Sequence, residues 1–323
     1  MSGVAILGVA WAARLDGEQL ESLVHRVSAA ALRDAGVTRD DLDSVTIAAS
    51  DERDGRSISS MLTGVAAGGL GKEVTKVTDG SLHALALSVA KVLAGASDLC
   101  LVASWDIASE ADLHAVATSA LEPFLERPLG LIDPIATAMH AAAAGVEPAE
   151  LDARVRGKGR EPGDGFVAFP LRASHLARER DGAAAVVLAS GSRLGDRTPA
   201  GRLDGIGWAT DAYALDRAPG AALRVAAAEA LRRANAGRDD LDSIELDDRD
   251  AYSEMVAAEM VGSEPLRRAD DGFAGLPTVC SGLWRIAQLC AAPSDPGRSL
   301  VHQAVGRAGQ GHVVAIVRRE ARA

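Results

Sequence analysis

Aromatic side chains are scarce in this 323-residue chain: Phe, Trp and Tyr together make up 3%. They are too few, and too little interleaved with basic residues, to form a stacking platform for nucleic acid. Positive charge is also in deficit. Lys and Arg number 34 against 45 Asp and Glu, a net charge of −11, which is the wrong sign for a phosphate groove or an anionic membrane surface. No apolar run reaches the length of a bilayer span. Cysteine occurs three times, at Cys100, Cys280 and Cys290, without CxxC or Cys/His spacing. Neither a disulfide framework nor a structural metal site is expected, and a reducing cytoplasm is the expected compartment. The opening stretch MSGVAILGVAWAARLDGE has no basic n-region and reads as a first strand, so no secretory leader is expected. Glycine-rich phosphate loops of the Walker or dinucleotide type are missing too. What remains is an ordinary globular composition, 48% hydrophobic and 24% charged, in a length that suits two domains.

The strongest positive feature is an internal repeat. Residues 27–47 read VSAAALRDAGVTRDDLDSVTI and residues 225–246 read VAAAEALRRANAGRDDLDSIEL. Each is an Ala/Leu-rich helix, a glycine, the hexapeptide RDDLDS and an apolar run, which predicts a duplicated helix–turn–strand unit with one copy in each half. A strand precedes each copy, VAILGVAWAA (4–13) and RLDGIGWATDAYAL (202–215). Strand–helix–strand crossovers favour a parallel sheet covered on both faces.

The pattern continues along the chain. EVTKVT (73–78) reads as a strand and SLHALALSVAKVLAG (81–95) as a helix stopped by Gly95. The nearly uniform apolar runs at 98–108 and 182–191 read as buried strands. Residues 112–181 have helical periodicity broken by Pro123, Pro128, Pro134, Pro148 and Pro162 and are taken as an insertion, with GKGREPGDG (157–165) its most loop-like piece. The second half adds SIELDD, a helix at 250–261, a short strand PTVCS, a helix at 282–291, and closing strands SLVHQAVG and HVVAIVRR.

Several segments together resemble the thiolase superfamily, nearest its sterol-carrier-protein thiolase or lipid-transfer-protein branch. DGAAAVVLAS (181–190) is similar to the strand ending that family's N-terminal half, and DPIATAMHAAAAGVEPAEL (133–151) to its loop-domain helices. SLVHQAVGRAGQGHVVAIV (299–317) resembles its closing QHN-x-G-x-GG hairpin, with His302 on the His and Gln303 on the Asn. IELDDRDAYSEMVAAEMVG (244–262) resembles its HDCF-containing segment. The resemblance implies a five-layered αβαβα fold built from two halves, 1–191 (with a helical insertion at about 110–181) and 192–323.

The resemblance also says where the chemistry should be. A thiolase holds a thiolate at the N-terminus of a buried helix, where the dipole and backbone N–H groups stabilise it. It adds a His/Cys pair for proton transfer and an oxyanion hole. In KVTDGSLHALAL (76–87) the cysteine position falls on Val77 or Thr78, neither of which forms a thiolate. The HDCF motif falls on Asp247, Asp248, Arg249 and Asp250. LPTVCSGLWRIAQLC (276–290) runs straight from Ser281-Gly282 into a helix, so the GHP loop is missing. A CoA thioester is therefore doubtful as a ligand, and no metal is expected.

Other residues carry paired readings. Cys280 precedes a helix start, a geometry that lowers a thiol pKa, or it is an inert buried cysteine. Tyr252 and Tyr213 are acid/base candidates, because thiolase-like aldolases use tyrosines in place of cysteine. Asp248 is a candidate carboxylate or part of a salt-bridged turn. His302 lines a remnant cavity or is a hydrogen-bonded structural residue. Asp79 reads as the N-cap of the helix that follows. His114, His140 and His175 show no metal-site spacing.

Three functional readings result. The first is a catalytically degenerate subunit that dimerises through strand 73–78, with itself or with an active thiolase-like chain, and that also engages a small zinc-ribbon/OB-fold protein of the DUF35 type. The second is a cysteine-independent enzyme, an aldolase or acyltransferase, acting on an acyl thioester through Asp248, Tyr252, Cys280 and His302. The third is an ordinary thiolase read in the wrong register.

Overall fold

The computed structural model describes residues 4–212, 219–262, 275–292 and 296–320. In chain order the strands and helices are β1 (Val4–Ala13), α1 (Leu20–Asp34), β2 (Ser44–Ala48), α2 (Ser60–Gly64, running on as a wide turn through Gly69), β3 (Glu73–Val77), α3 (Ser81–Leu93), β4 (Leu99–Asp106), α4 (Leu113–Ser119), α5 (Asp133–Ala143), α6 (Pro148–Gly157), β5 (Phe166–Ala168), β6 (Leu171–Arg172), β7 (Gly182–Ala189), α7 (Gly191–Leu194), β8 (Gly201–Thr210), α8 (Ala221–Arg233), β9 (Ser243–Glu245), α9 (Ala251–Val261), α10 (Ser281–Ala291), β10 (Arg298–Val305) and β11 (Gly311–Arg319).

The repeat determines the topology. The strands run β3-β2-β4-β7-β1-β8-β11-β10-β9, so the second half mirrors the first about the junction of β1 and β8. That junction is three residue pairs long, from Val4↔Leu203 to Ile6↔Gly201. Both RDD segments form a single tight helical turn between a helix and a strand. The match extends to packing. A Cβ on Gly8 of β1 would lie 2.4 Å from the Ala31 carbonyl oxygen of α1, and one on Gly205 of β8 would lie 2.1 Å from that of Ala230 in α8. Each helix rests directly on strand backbone, which only glycine permits.

The layers follow from strand alternation. One face of both sets of strands packs on α3 and α10, through Leu82, Leu85, Leu283 and Ile286 among others. The opposite face of the first set is covered by α1, and that of the second by α8 and α9. This is the five-layered arrangement, with α3 and α10 as its buried middle. Gly95 ends α3 as expected, at φ +69°, with Ala96 N–H bonded to Lys91 O and Gly95 N–H to Val92 O.

Three expectations are corrected. The sheet is mixed, not parallel: β3–β2–β4 and β9–β10 are parallel, but β7 and β11 run antiparallel to their neighbours. The closing strand of each half inserts between the crossover strands, so β1 and β2 do not touch. PTVCS is a turn, not a strand, because Val279 is held by the Asp106 carboxylate (3.1 Å) and by Ser81 N–H (2.9 Å), not by a neighbouring strand. The 112–181 insertion contains three helices and also the small hairpin β5–β6. Residues 213–215 and Tyr213 lie outside the described residues.

Candidate functional site

Two buried helices, α3 and α10, begin side by side, and their first N–H groups need acceptors. The chain supplies them internally. Gln303 on β10, 1% exposed, accepts the Leu82 N–H at 2.9 Å and the Ser81 hydroxyl at 3.3 Å through Oε1. Its Nε2 donates to Thr278 O (3.2 Å), Val279 O (3.0 Å) and Ser281 Oγ (3.0 Å). Ser81 N–H reaches Val279 O (2.9 Å), and Ser81 Oγ accepts Leu283 N–H from α10 (3.0 Å). A Cβ on Gly80 would lie 2.7 Å from Gln303 Oε1, and one on Gly282 would lie 2.8 Å from it. The carboxamide thus fills the space between the two helix starts. Asp79 does not cap α3. Gly80 holds that position, and Asp79 pairs with His83 at 3.0 Å.

The sequence candidates occupy different surroundings. Val77 ends β3, half-buried against the central core. Thr78 lies in an exposed bend. Cys280 is 0% exposed within the central core. Burial pushes its thiol well up and the nearby Asp106 charge adds to this, the reverse of what a helix start does to an accessible thiol. Asp106 is itself raised to about 6 by burial, against the opposing pull of Arg53.

Asp248 belongs to a charge network. Burial would raise its carboxyl, but Arg285 and Lys158 outweigh that and hold it far below the usual carboxylate range. Asp248 pairs with Arg285, and Lys158 lies 3.2 Å from Asp248 and 2.9 Å from Glu254. A carboxylate so firmly ionised is an anchor for two buried cations rather than a proton acceptor.

His302 and Tyr252 do come together. They line one cleft with Thr137, Leu223, Arg249 and His312. Asp248 lines a neighbouring cavity with Thr278, Ser281 and Arg285. Cys280 lines neither of these two. Tyr252 is 3% exposed, and burial followed by the Asp250 charge raises its phenol. His302 is buried and held neutral, first by desolvation and then by His312, Arg285 and Arg249. Its Nε2 lies 2.9 Å from His312 Nδ1, with the two rings stacked at 5.2 Å.

Sequence reasoning missed His312. The signal was present: in a hairpin, alternate residues share a face, and Ala304 pairs with His312 while His302 pairs with Val314. His302 and His312 are therefore diagonal neighbours on one face. Among the described residues no group of three or more His, Cys, Asp or Glu side chains is placed to hold a metal, and no helix is long and apolar enough to cross a membrane.

No protein-family model matches the chain, and no curated protein matches it. Solved structures do. Human mitochondrial 3-ketoacyl-CoA thiolase superposes with TM-score 0.78 at 12% identity, covering 99% of each chain. The same enzyme in complex with CoA gives TM-score 0.79 at 13% identity, covering 99% of this chain and 98% of that one. An acetyl-CoA acetyltransferase from Syntrophomonas wolfei gives 0.75 at 16% identity, covering 99% and 100%. At such identities the likeness is one of fold, and the chain has the thiolase fold along its whole length.

Proposed function

We propose that this chain is a thiolase-fold subunit without cysteine-based acyl transfer, which acts by associating with a second subunit. The observation that carries the reading is Gln303. The buried helix start that the resemblance assigns to a thiolate and its thioester is filled by a carboxamide, with Leu82 N–H already bonded. A CoA thioester does not fit at that helix start. All three cysteines are buried thiols, which suits a reducing, cytoplasmic setting.

Association is supported by the edge of the sheet. β3 is the end strand and pairs only with β2 among the described residues. Beside it, α2 and its continuation expose Met61 (71%), Leu62 (63%) and Val65 (50%). Gly64 and Gly69 pack on Val74 of β3, which ties this apolar surface to the strand. An unpaired edge flanked by exposed apolar side chains is a surface that a second chain covers. The partner in this reading is an active thiolase-like chain, in a complex that also takes in a DUF35-type OB-fold protein.

The test is native mass spectrometry of the tagged chain purified from its own host, alongside a Met61→Glu/Leu62→Glu variant. The expected result is a hetero-oligomer that the variant loses while keeping its melting curve. A wild-type monomer that turns over acyl thioesters alone overturns the proposal. One observation favours the second reading, a cysteine-independent enzyme: Tyr252 and His302 share a cleft. Turnover of an acyl thioester abolished by Tyr252→Phe would establish it in place of the first.

A further inference from the structure

The cleft that holds His302 and Tyr252 lies on the opposite side of β10 from Gln303, because successive residues of a strand face opposite ways. The Gln303 face meets α3 and α10, in the layer that also holds Cys280 and Cys290. The His302 face meets α8 and α9. The histidine pair on that face is enclosed, with His302 2% exposed and His312 7%.

Two of the rims that enclose it are held in different ways. One is α5, which contributes Thr137 and His140, and the other is the turn between β10 and β11, which contributes Ala308 and Gly309. α5 is rooted in a core through Ala138 and Ala141, packed with Leu151, Leu171 and Tyr252. The turn lies beyond the strand ladder, whose last pair is Val305↔Gly311. Gly306, Arg307, Ala308 and Gly309 offer no large apolar side chain to a core. The backbone there is left-handed at Gly306 (φ +67°), Ala308 (φ +45°) and Gly309 (φ +63°), a conformation that alanine rarely adopts.

Polar ties hold this turn down. At its far end Gln310 Nε2 donates to Asp211 O (3.0 Å), and Gln310 O accepts Asp211 N–H (2.9 Å). At its near end Arg307 reaches across to the segment that leads into α5. Its guanidinium pairs with Glu126 and donates to Leu131 O, and its Nε lies 3.7 Å from Asp133. The Arg307 and Glu126 side chains are 10% and 9% exposed, so this pair is sheltered from solvent. Arg307 thus clips one rim of the cleft to the other. A turn held by polar ties, without apolar burial of its own, opens locally at lower cost than the strands beneath it.

We propose that residues 306–309 form a lid over the cleft, latched by Arg307 on the 126–133 segment, and that the His302–His312 pair is reached from solvent only when this latch opens. The proposal concerns access alone and needs neither a partner nor turnover.

The test is brief labelling of the full-length chain with diethyl pyrocarbonate, read residue by residue by mass spectrometry, with iodoacetamide labelling of the cysteines in parallel. His25 and His114 are exposed and serve as the reference. His302 and His312 are expected to react slowly in the wild-type chain and at least about tenfold faster in Arg307→Met, because loss of a buried ion pair shifts a local opening by that much or more. Cys280 and Cys290, on the other side of the sheet, are expected to stay protected in both. Unchanged rates at His302 and His312 in the folded variant overturn the proposal, as does a parallel rise at the two cysteines, which marks general unfolding. Should Arg307→Met fail to fold, the wild-type chain in low urea decides. Local lid opening exposes little surface, so the rates at His302 and His312 are expected to change little with urea while those at Cys280 and Cys290 rise steeply. The same urea dependence at all four residues overturns the lid.

Discussion

Replacing Gln303 with alanine removes five hydrogen bonds from a site 1% exposed. They are not equally costly to lose. Val279 O keeps the Ser81 N–H, Thr278 O keeps the Ser281 hydroxyl, and Ser81 Oγ keeps the Leu283 N–H. Leu82 N–H keeps nothing. A stranded buried donor costs about 1–3 kcal/mol, and the lost packing of the side chain adds roughly 1 kcal/mol. Urea denaturation followed by circular dichroism should show Gln303→Ala about 2–4 kcal/mol less stable, with little dependence on pH. Gln303→Glu separates the polar argument from the packing one. One carboxylate oxygen still accepts Leu82 N–H, but the other replaces a donor facing two carbonyl oxygens, so the folded state favours the protonated acid. Its folded pKa is raised above the unfolded one, and its relative stability is present at low pH and lost as pH rises through the folded value. The loss in Gln303→Glu should therefore grow from pH 5 to pH 8. Wild-type stability in both variants at both pH values would refute the account of how the two helix starts are held.

Other outcomes follow from the buried charges and thiols. Asp106 is raised to about 6 from the ordinary carboxyl value of 3.8, so its ionisation opposes folding by about 3 kcal/mol once pH exceeds the folded value and by nothing below the unfolded one. Relative to Asp106→Asn, the wild-type chain should lose stability between pH 4 and pH 7 in urea titrations, and parallel curves would contradict this. Asp248→Asn strands Arg285, whose side chain is 2% exposed, and should cost about 3–5 kcal/mol. The Asp248→Asn/Arg285→Met double variant should cost clearly less than the sum of the singles by the same denaturation assay. The native chain should give no reaction with a thiol reagent until denatured, when all three cysteines should react. Gly205→Ala, with a Cβ 2.1 Å from Ala230 O, should lower the melting temperature far more than Gly191→Ala, where no atom lies within 4 Å.

Much of the architecture was legible because burial on both faces leaves a simple mark. The runs that became β4 and β7 are apolar at nearly every position, and every residue of both is buried. The RDDLDS pair was legible because a duplicated turn keeps its local chemistry. Sheet direction was not, since crossover logic describes β1–α1–β2 and says nothing of a later strand entering between. The 277–280 turn was misread because β-branched residues there meet a carboxylate from β4 instead of a partner strand. The positions of Asp248, Tyr252, Cys280 and His302 were all flagged, but their grouping depends on which strand face each occupies. Gln303 and His302 are adjacent in sequence yet open on opposite layers, a distinction that only the paired hairpin fixes.

The bond from Leu82 to Gln303 closes over 221 positions of chain, and this bears on how the molecule is made. A ribosome delivers α3 long before the strand that completes it. Until β10 arrives, the interior helix begins with a bare amide, and the nascent first half has its central layer half-built. Long-range closures of this kind are slow and leave apolar surface waiting. The amino-terminal half released alone should therefore be a client for chaperones, not a stable module.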